Sequence, residues 1–209
     1  MIVDIVKEYE PTIIESENPP RLTEIDDRDG ILFNTSLSDD RRIRQAVYDR
    51  LVAARHALPP QLTFMVYEAY RPRDKQIAMW NDIWVKVKES YPDADDEELA
   101  LRCNTFIANP YKVGSGHQFG CAVDITLYDL NKSEILDMGC GMQEFSYKSK
   151  TDCDGLTEKQ LENRRLLRDT LHQFGLVNYP PEWWHYSYGD RLWAIQLGLE
   201  KTVYGVLPF

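Results

Sequence analysis

Apolar positions along the chain fall into stretches of helical period and stretches that alternate. Ile43, Val47, Leu51, Ala54 and Leu58 recur every three or four residues, a helix stripe that Ser38-Asp39-Asp40 is placed to cap and Pro59-Pro60 to end. Thr63-Phe64-Met65-Val66-Tyr67 then predicts a buried strand. Ile77, Trp80, Trp84 and Val87 predict a second helix from Asp74 to near Pro92. The acidic run Asp93 to Glu98 reads as the solvated start of a third, where negative charge suits the positive end of the helix dipole. Gly114-Ser115-Gly116 breaks the pattern. The strand expected from Cys121 to Leu127 puts Cys121, Val123, Ile125 and Leu127 on one face and Ala122, Asp124 and Thr126 on the other. Asp124 is thereby isolated on the side away from the apolar face. A loop from about Asp129 to Gly155 leads to a helix over Thr157 to Phe174, with Leu167, Leu171 and Phe174 facing the core and Gly175 closing it. Trp183-Trp184-His185-Tyr186, after Pro180-Pro181, reads as one more strand.

Residues 1–36 are rich in turn formers (Pro11, Pro19, Pro20, Asp26, Asp27, Asp29, Gly30) and predict an irregular arm with at most short strands. No repeat, low-complexity tract or long linker divides the rest, so one domain over residues 1–209 is expected. Helices and strands mix without repeated strand-helix-strand units. That pattern predicts an α+β fold, a single compact domain with a small, mostly antiparallel sheet packed with helices.

Composition adds that 209 residues with 43% apolar content bury enough surface to be stable without disulfides or oligomerisation. Oligomeric state is not legible. Charge excludes more: 24 Lys+Arg against 34 Asp+Glu give a formal net charge of −10. A chain so acidic is not expected to bind nucleic acid or an anionic membrane, both of which call for a Lys/Arg surface. No apolar stretch approaches the roughly 18 residues of a membrane span. Met1 to Glu8 lacks the basic and apolar regions of a signal peptide, so the expected location is cytoplasmic, or periplasmic if a leader has been removed. The four cysteines, Cys103, Cys121, Cys140 and Cys153, show no C-x-x-C spacing and read as reduced thiols. A Cys140–Cys153 loop disulfide is the exception expected of an exported protein.

Four histidines are few enough to weigh one by one. His56 ends an Arg-rich helix, and His172 points roughly 150° from the Leu167/Leu171/Phe174 stripe at about 100° per residue, so both read as surface residues. His117 follows the Gly-Ser-Gly turn and stands seven residues before Asp124; His185 stands three after Glu182. Two neutral imidazoles and one carboxylate make a three-ligand set that leaves zinc's fourth position open, the pattern of a catalytic site. Water there reaches a pKa of about 7 and needs a general base nearby, for which Glu182 is the natural candidate. Negative charge developing on an attacked carbonyl needs an electrophilic partner, and Arg71, just after the buried strand and held by Pro72, is the candidate. Each has a plainer reading alone: a turn histidine, a hydrogen-bonded buried carboxylate, core tryptophans, an ion-paired arginine. H-E-x-x-H is missing, which excludes a helix-borne zincin site.

Three segments taken in order narrow the choice. Tyr67-Glu68-Ala69-Tyr70-Arg71-Pro72, Ser115-Gly116-His117-Gln118-Phe119-Gly120-Cys121-Ala122-Val123-Asp124 and Glu182-Trp183-Trp184-His185-Tyr186 resemble the Y-R-P, S-x-H-x-x-G-x-A-x-D and E-W-W-H patterns of the zinc-dependent D-alanyl-D-alanine dipeptidases, a branch of the peptidoglycan D,D-peptidases. The resemblance extends through Asn163-Arg164-Arg165 and Tyr188 to Ala194, covering most of the chain from about residue 40. It implies one zinc held by His117, Asp124 and His185 on a small antiparallel sheet. It implies Glu182 as catalytic base and acid, Arg71 as the group that stabilises the tetrahedral intermediate, and Ser115 as a substrate contact. The implied reaction is hydrolysis of D-Ala-D-Ala to two D-alanines.

One loop departs from the family pattern. Members commonly place an Asp after the second ligand strand, in a G-x-x-F-D-E-F-like context, to meet the substrate's ammonium, whereas this chain reads Gly139-Cys140-Gly141-Met142-Gln143-Glu144-Phe145. Either Glu144 supplies the charge beside Gln143, or the demand for a free amino terminus is relaxed. The second case describes a D,D-carboxypeptidase acting on longer or N-blocked stem peptides. A non-catalytic zinc-binding interaction module is a third reading, opposed by the presence of Glu182 and Arg71 with all three ligands.

Overall fold

The computed structural model describes residues 10–17, 20–144 and 146–207; the first nine residues of the expected arm, Pro19 and Phe145 lie outside them. In chain order come strands β1 (Leu22–Glu24), β2 (Ile31–Phe33) and β3 (Arg42–Arg44), then helix α1 (Gln45–Ala57) and strand β4 (Leu62–Glu68). Helices α2 (Arg73–Ser90) and α3 (Asp96–Cys103) lead to strands β5 (Ala122–Asp129) and β6 (Glu134–Ile135). Helix α4 (Glu158–Gln173), strands β7 (Val177–Asn178) and β8 (His185–Ser187) and helix α5 (Arg191–Gln196) complete the order.

The main sheet runs β2-β4-β5-β8-β7, with β6 also on β5. Only β2–β4 is parallel, so the sheet is mostly antiparallel, as expected of this α+β chain. β1 and β3 form a separate antiparallel pair. On one face α1 and α4 lay Val47, Leu51, Ala54, Leu167 and Leu171 against Phe64, Val66, Val123, Ile125 and Leu127, all fully buried. Each of these side chains other than Ala54 contributes about 1.5–3 kcal/mol relative to exposure. A second cluster joins Trp80 and Val87 of α2 to Leu99 and Cys103 of α3. The opposite face of the sheet carries Asp124 and Thr126. No helix of the described residues is long and apolar enough to cross a membrane.

Local chemistry explains the boundaries. Thr157 caps α4, its hydroxyl accepting from the Gln160 amide, and Gly175 ends it at φ 85°. Asp95 caps α3 in the same way, which accounts for the acidic run there. The first helix departs from expectation. It starts at Gln45, because Arg42–Arg44 is drawn into β3 by pairing with β1 and by the Tyr70 amide, which donates to the Arg42 carbonyl. Asp40 is no helix cap: its carboxylate accepts from the Arg42 amide at 3.1 Å and takes the Arg42 guanidinium. Trp183 and Trp184 also differ, lying in a turn ahead of β8, closed by Glu182 N–H to Tyr179 and His185 N–H to Glu182. Their rings are core. Within the arm the short strands form, and β2 becomes an edge of the main sheet.

Candidate metal centre

Three elements bring the ligand set together. β5 presents Asp124 on the face opposite Val123 and Ile125, and β8 pairs with it so that His185 lies directly across from Asp124. His117 arrives on a single 3-10 turn, Gly116–Phe119, closed by Gly120 at φ 66°. Only glycine fits at 116, where a Cβ would stand 2.1 Å from Oδ2 of Asp190.

His117 Nε2 lies 3.3 Å and His185 Nδ1 3.1 Å from Asp124 Oδ1, and the three ligand atoms all lie within 4.8 Å of one another. Ligand atoms around a tetrahedral zinc with bonds of about 2.0–2.1 Å sit about 3.3 Å apart, so this donor set fits that ion. Nδ1 of His117 donates to the Ala69 carbonyl at 2.7 Å, which fixes the tautomer and leaves Nε2 with its lone pair toward Asp124. All three side chains are buried. Burial alone would raise the Asp124 carboxyl, but the two imidazoles outweigh it and hold the group well below the usual carboxylate range. One carboxylate and two imidazoles facing one another are a donor set that a divalent cation takes. Among the described residues no other His/Cys/Asp/Glu group is gathered this way.

Glu182 stands at the edge of the set, its Oε2 4.0 Å from His185 Nδ1. Burial, with the charge of Asp124 adding to it, pushes its carboxyl up to about 7 against the pull of His185 and Arg71. Arg71 is close enough for its charge to act on both Asp124 and Glu182. Sequence reasoning missed what holds it. Glu68 takes Arg71 Nε at 3.1 Å and Nη2 at 2.5 Å, and Gln76 takes Nη1 at 2.8 Å, which leaves one N–H on each terminal nitrogen uncommitted among the described residues. Lys75 closes the cluster on Glu68 at 2.9 Å. Ser115 joins through its hydroxyl, 3.4 Å from the same Gln76 oxygen, and remains partly exposed.

A β-bulge delivers Glu68. The β4–β5 register shifts between Val66 and Glu68, so Tyr67 is the extra residue and Glu68 pairs with Asp124 instead of Tyr67. The one signal for it in the sequence was an acid at the end of an apolar strand, three residues before Arg71.

In the departing loop it is Gln143 that reaches the ligand set. Its Nε2 donates to Asp124 Oδ2 at 3.3 Å, and its backbone is held at φ 57°, a conformation that costs a non-glycine residue about 1–3 kcal/mol. Glu144 is exposed and turns back to accept from the Gly141 amide at 3.0 Å, so it does not join the site. His56 and His172 are surface residues as expected, although His172 Nε2 also accepts from the Asn178 amide at 3.2 Å.

The sequence profile of the D-ala-D-ala dipeptidase family matches residues 29–202, a span that holds every residue of this cluster. The chain belongs to that family. Among curated members, it is 28% identical over 142 residues to the D-alanyl-D-alanine dipeptidase of Enterococcus faecalis, covering 65% of this chain and 67% of that one. With the D-alanyl-D-alanine dipeptidase of Enterococcus faecium it shares 34% identity over 105 residues, 50% of this chain and 49% of the relative. The chain thus spans about half to two thirds of these relatives' length. Among solved structures it is similar to VanYB in complex with D-alanine-D-alanine, at 20% identity and a TM-score of 0.48, covering 89% of this chain and 92% of that one. The family is zinc-dependent, and His117, Asp124 and His185 are the group among the described residues that could hold such an ion.

Proposed function

We propose that this protein is a zinc D,D-peptidase that hydrolyses D-Ala-D-Ala to two D-alanines, with His117, Asp124 and His185 as ligands, Glu182 as general base and acid, and Arg71 as oxyanion partner. The observation that carries the proposal is the convergence of Glu182 and a half-committed Arg71 on one buried His-Asp-His set. When bound, zinc supplies Lewis acidity that polarises the scissile carbonyl and makes water more acidic. Glu182, at the edge of the ligand set, takes a proton from the attacking water and delivers it to the leaving amine. The water oxygen first bonds to the carbonyl carbon, placing negative charge on the carbonyl oxygen, and the C–N bond breaks as that tetrahedral species collapses and the amine takes the proton. The two N–H groups of Arg71 left uncommitted among the described residues are available to the oxygen on which charge develops, and Glu68 and Gln76 keep the guanidinium from swinging away. Ser115, beside Gln76, is placed to contact the substrate.

Gln143 favours a second reading on the amino-terminal side of the substrate. Zwitterionic D-Ala-D-Ala brings an ammonium, yet the loop offers a neutral amide, and Glu144 faces away. A D,D-carboxypeptidase acting on longer or N-blocked peptides needs no acid there. The two readings separate in one assay: kcat/KM for D-Ala-D-Ala against N-acetyl-D-Ala-D-Ala. A preference for the free dipeptide supports the dipeptidase, and a preference for the acylated form supports the carboxypeptidase. No cleavage of either, with zinc bound, would overturn both in favour of a non-catalytic zinc module.

A further inference from the structure

Arg164 of α4 is buried, and backbone carbonyls from Met138 and from Lys148 to Thr151 converge on its guanidinium. Nε donates to the Met138 carbonyl at 2.7 Å, Nη2 to Lys148 at 2.7 Å and Nη1 to Lys150 at 2.6 Å. Two sulfurs share this hub. Cys140 Sγ lies 3.8 Å from Nη2 and Cys153 Sγ 3.7 Å from Nη1. Both thiols also point at a single oxygen, the Lys148 carbonyl, at 3.2 Å and 3.9 Å, so the sulfurs are no farther apart than those two distances added together. Each cysteine is partly exposed, whereas Cys103 and Cys121 are fully buried.

Between the two cysteines the backbone holds one short 3-10 turn, Tyr147–Ser149, and no longer helix or strand among the described residues. Bringing the sulfurs to bonding distance therefore moves loop backbone and leaves the sheet alone. The same loop sends Gln143 to Asp124 and is tied to the Glu182 segment, the Trp183 amide donating to Ser149 and the Thr151 amide to Pro180.

We infer that Cys140 and Cys153 form a dithiol modification site, which a low-molecular-weight disulfide such as glutathione disulfide converts to an intramolecular disulfide that tethers the Gln143 loop. One cysteine thiolate attacks the glutathione disulfide, forming a mixed disulfide and releasing one glutathione thiolate. The second cysteine then attacks the protein sulfur of that mixed disulfide and releases the second glutathione. Two protein thiols are oxidised, one glutathione disulfide is reduced to two glutathiones, and the two protons go to the released thiolates. The inference is independent of the peptidase reading, since it needs no turnover.

The test treats the full-length, zinc-loaded protein with glutathione disulfide, blocks remaining thiols and maps the products by mass. The expected result is a net loss of two hydrogens, two of the four thiols still free, and a crosslink between Cys140 and Cys153 that survives tryptic cleavage at Lys148 and Lys150. The melting temperature should rise by roughly 5–10 °C, as expected for closing a short loop, and fall back on addition of dithiothreitol. Cys153→Ser should instead keep a single glutathione adduct on Cys140, with no gain in stability. Stable glutathione adducts on both cysteines, a crosslink through Cys103 or Cys121, or no reaction at all would overturn the inference.

Discussion

A buried carboxylate is held in place by the charges around it, and Glu68, 1% exposed between Arg71 and Lys75, shows what that means for an active site. Glu68→Gln keeps the shape and removes the charge, so Arg71 is left without its buried counter-ion. Breaking such a pair costs about 3–5 kcal/mol, to be read as a lower urea midpoint, while zinc content stays at the level of the unmodified protein. Arg71→Ala should lower kcat by about 10²–10³-fold, the usual effect of deleting one oxyanion donor. Glu182→Gln should lower it by about 10²–10⁴-fold with zinc retained. Gln143→Asp would place an acid where the proposed reading puts the amino end of the substrate. It should shift the ratio of kcat/KM for free over acylated dipeptide by about tenfold toward the free form, the worth of one charge-assisted hydrogen bond. The grouping of His117, Asp124 and His185 was legible in the sequence from the three motifs taken in order, with alternation isolating Asp124 and a glycine turn setting off His117. Glu68 and Gln76 were not, since a bulge in β4 and the first turn of α2 decide where they point.

At the level of elements, long periodic segments were read with little error and short ones were missed. β4, β5, α2 and α4 follow their hydrophobic patterns because each is at least seven residues long, enough for a period to show. β1, β2, β3 and β7, two or three residues each, are too short to show a period and exist through partners distant in sequence. For the same reason Ile43 was counted in the α1 stripe, although it is fully buried in β3. The aromatic run at Trp183-Trp184 misled because burial, which its composition does signal, is met here in a turn. The caps are independent of the site, so Thr157→Ala should cost about 1 kcal/mol in unfolding free energy and leave kcat unchanged.

For the whole molecule, the net charge of −10 says little about the site. Arg71 and Lys75 against Asp124, Glu182 and Glu68 leave the cluster with one net negative charge, which a divalent zinc turns into one net positive charge, opposite in sign to the rest of the protein. The bulk acidity therefore belongs to solvated segments such as Asp93 to Glu98, and the cluster is suited to the carboxylate end of a D,D-peptide. Metal and catalysis should be inseparable in such a site. The direct measurement is to strip the protein with a chelator and follow D-alanine release from D-Ala-D-Ala or its N-acetyl form during stepwise return of zinc. Activity should vanish on stripping, rise in proportion to added zinc, level off at one ion per chain, and fail to return in His117→Ala. Hydrolysis that persists in the stripped protein, or that returns equally in His117→Ala, would contradict the account.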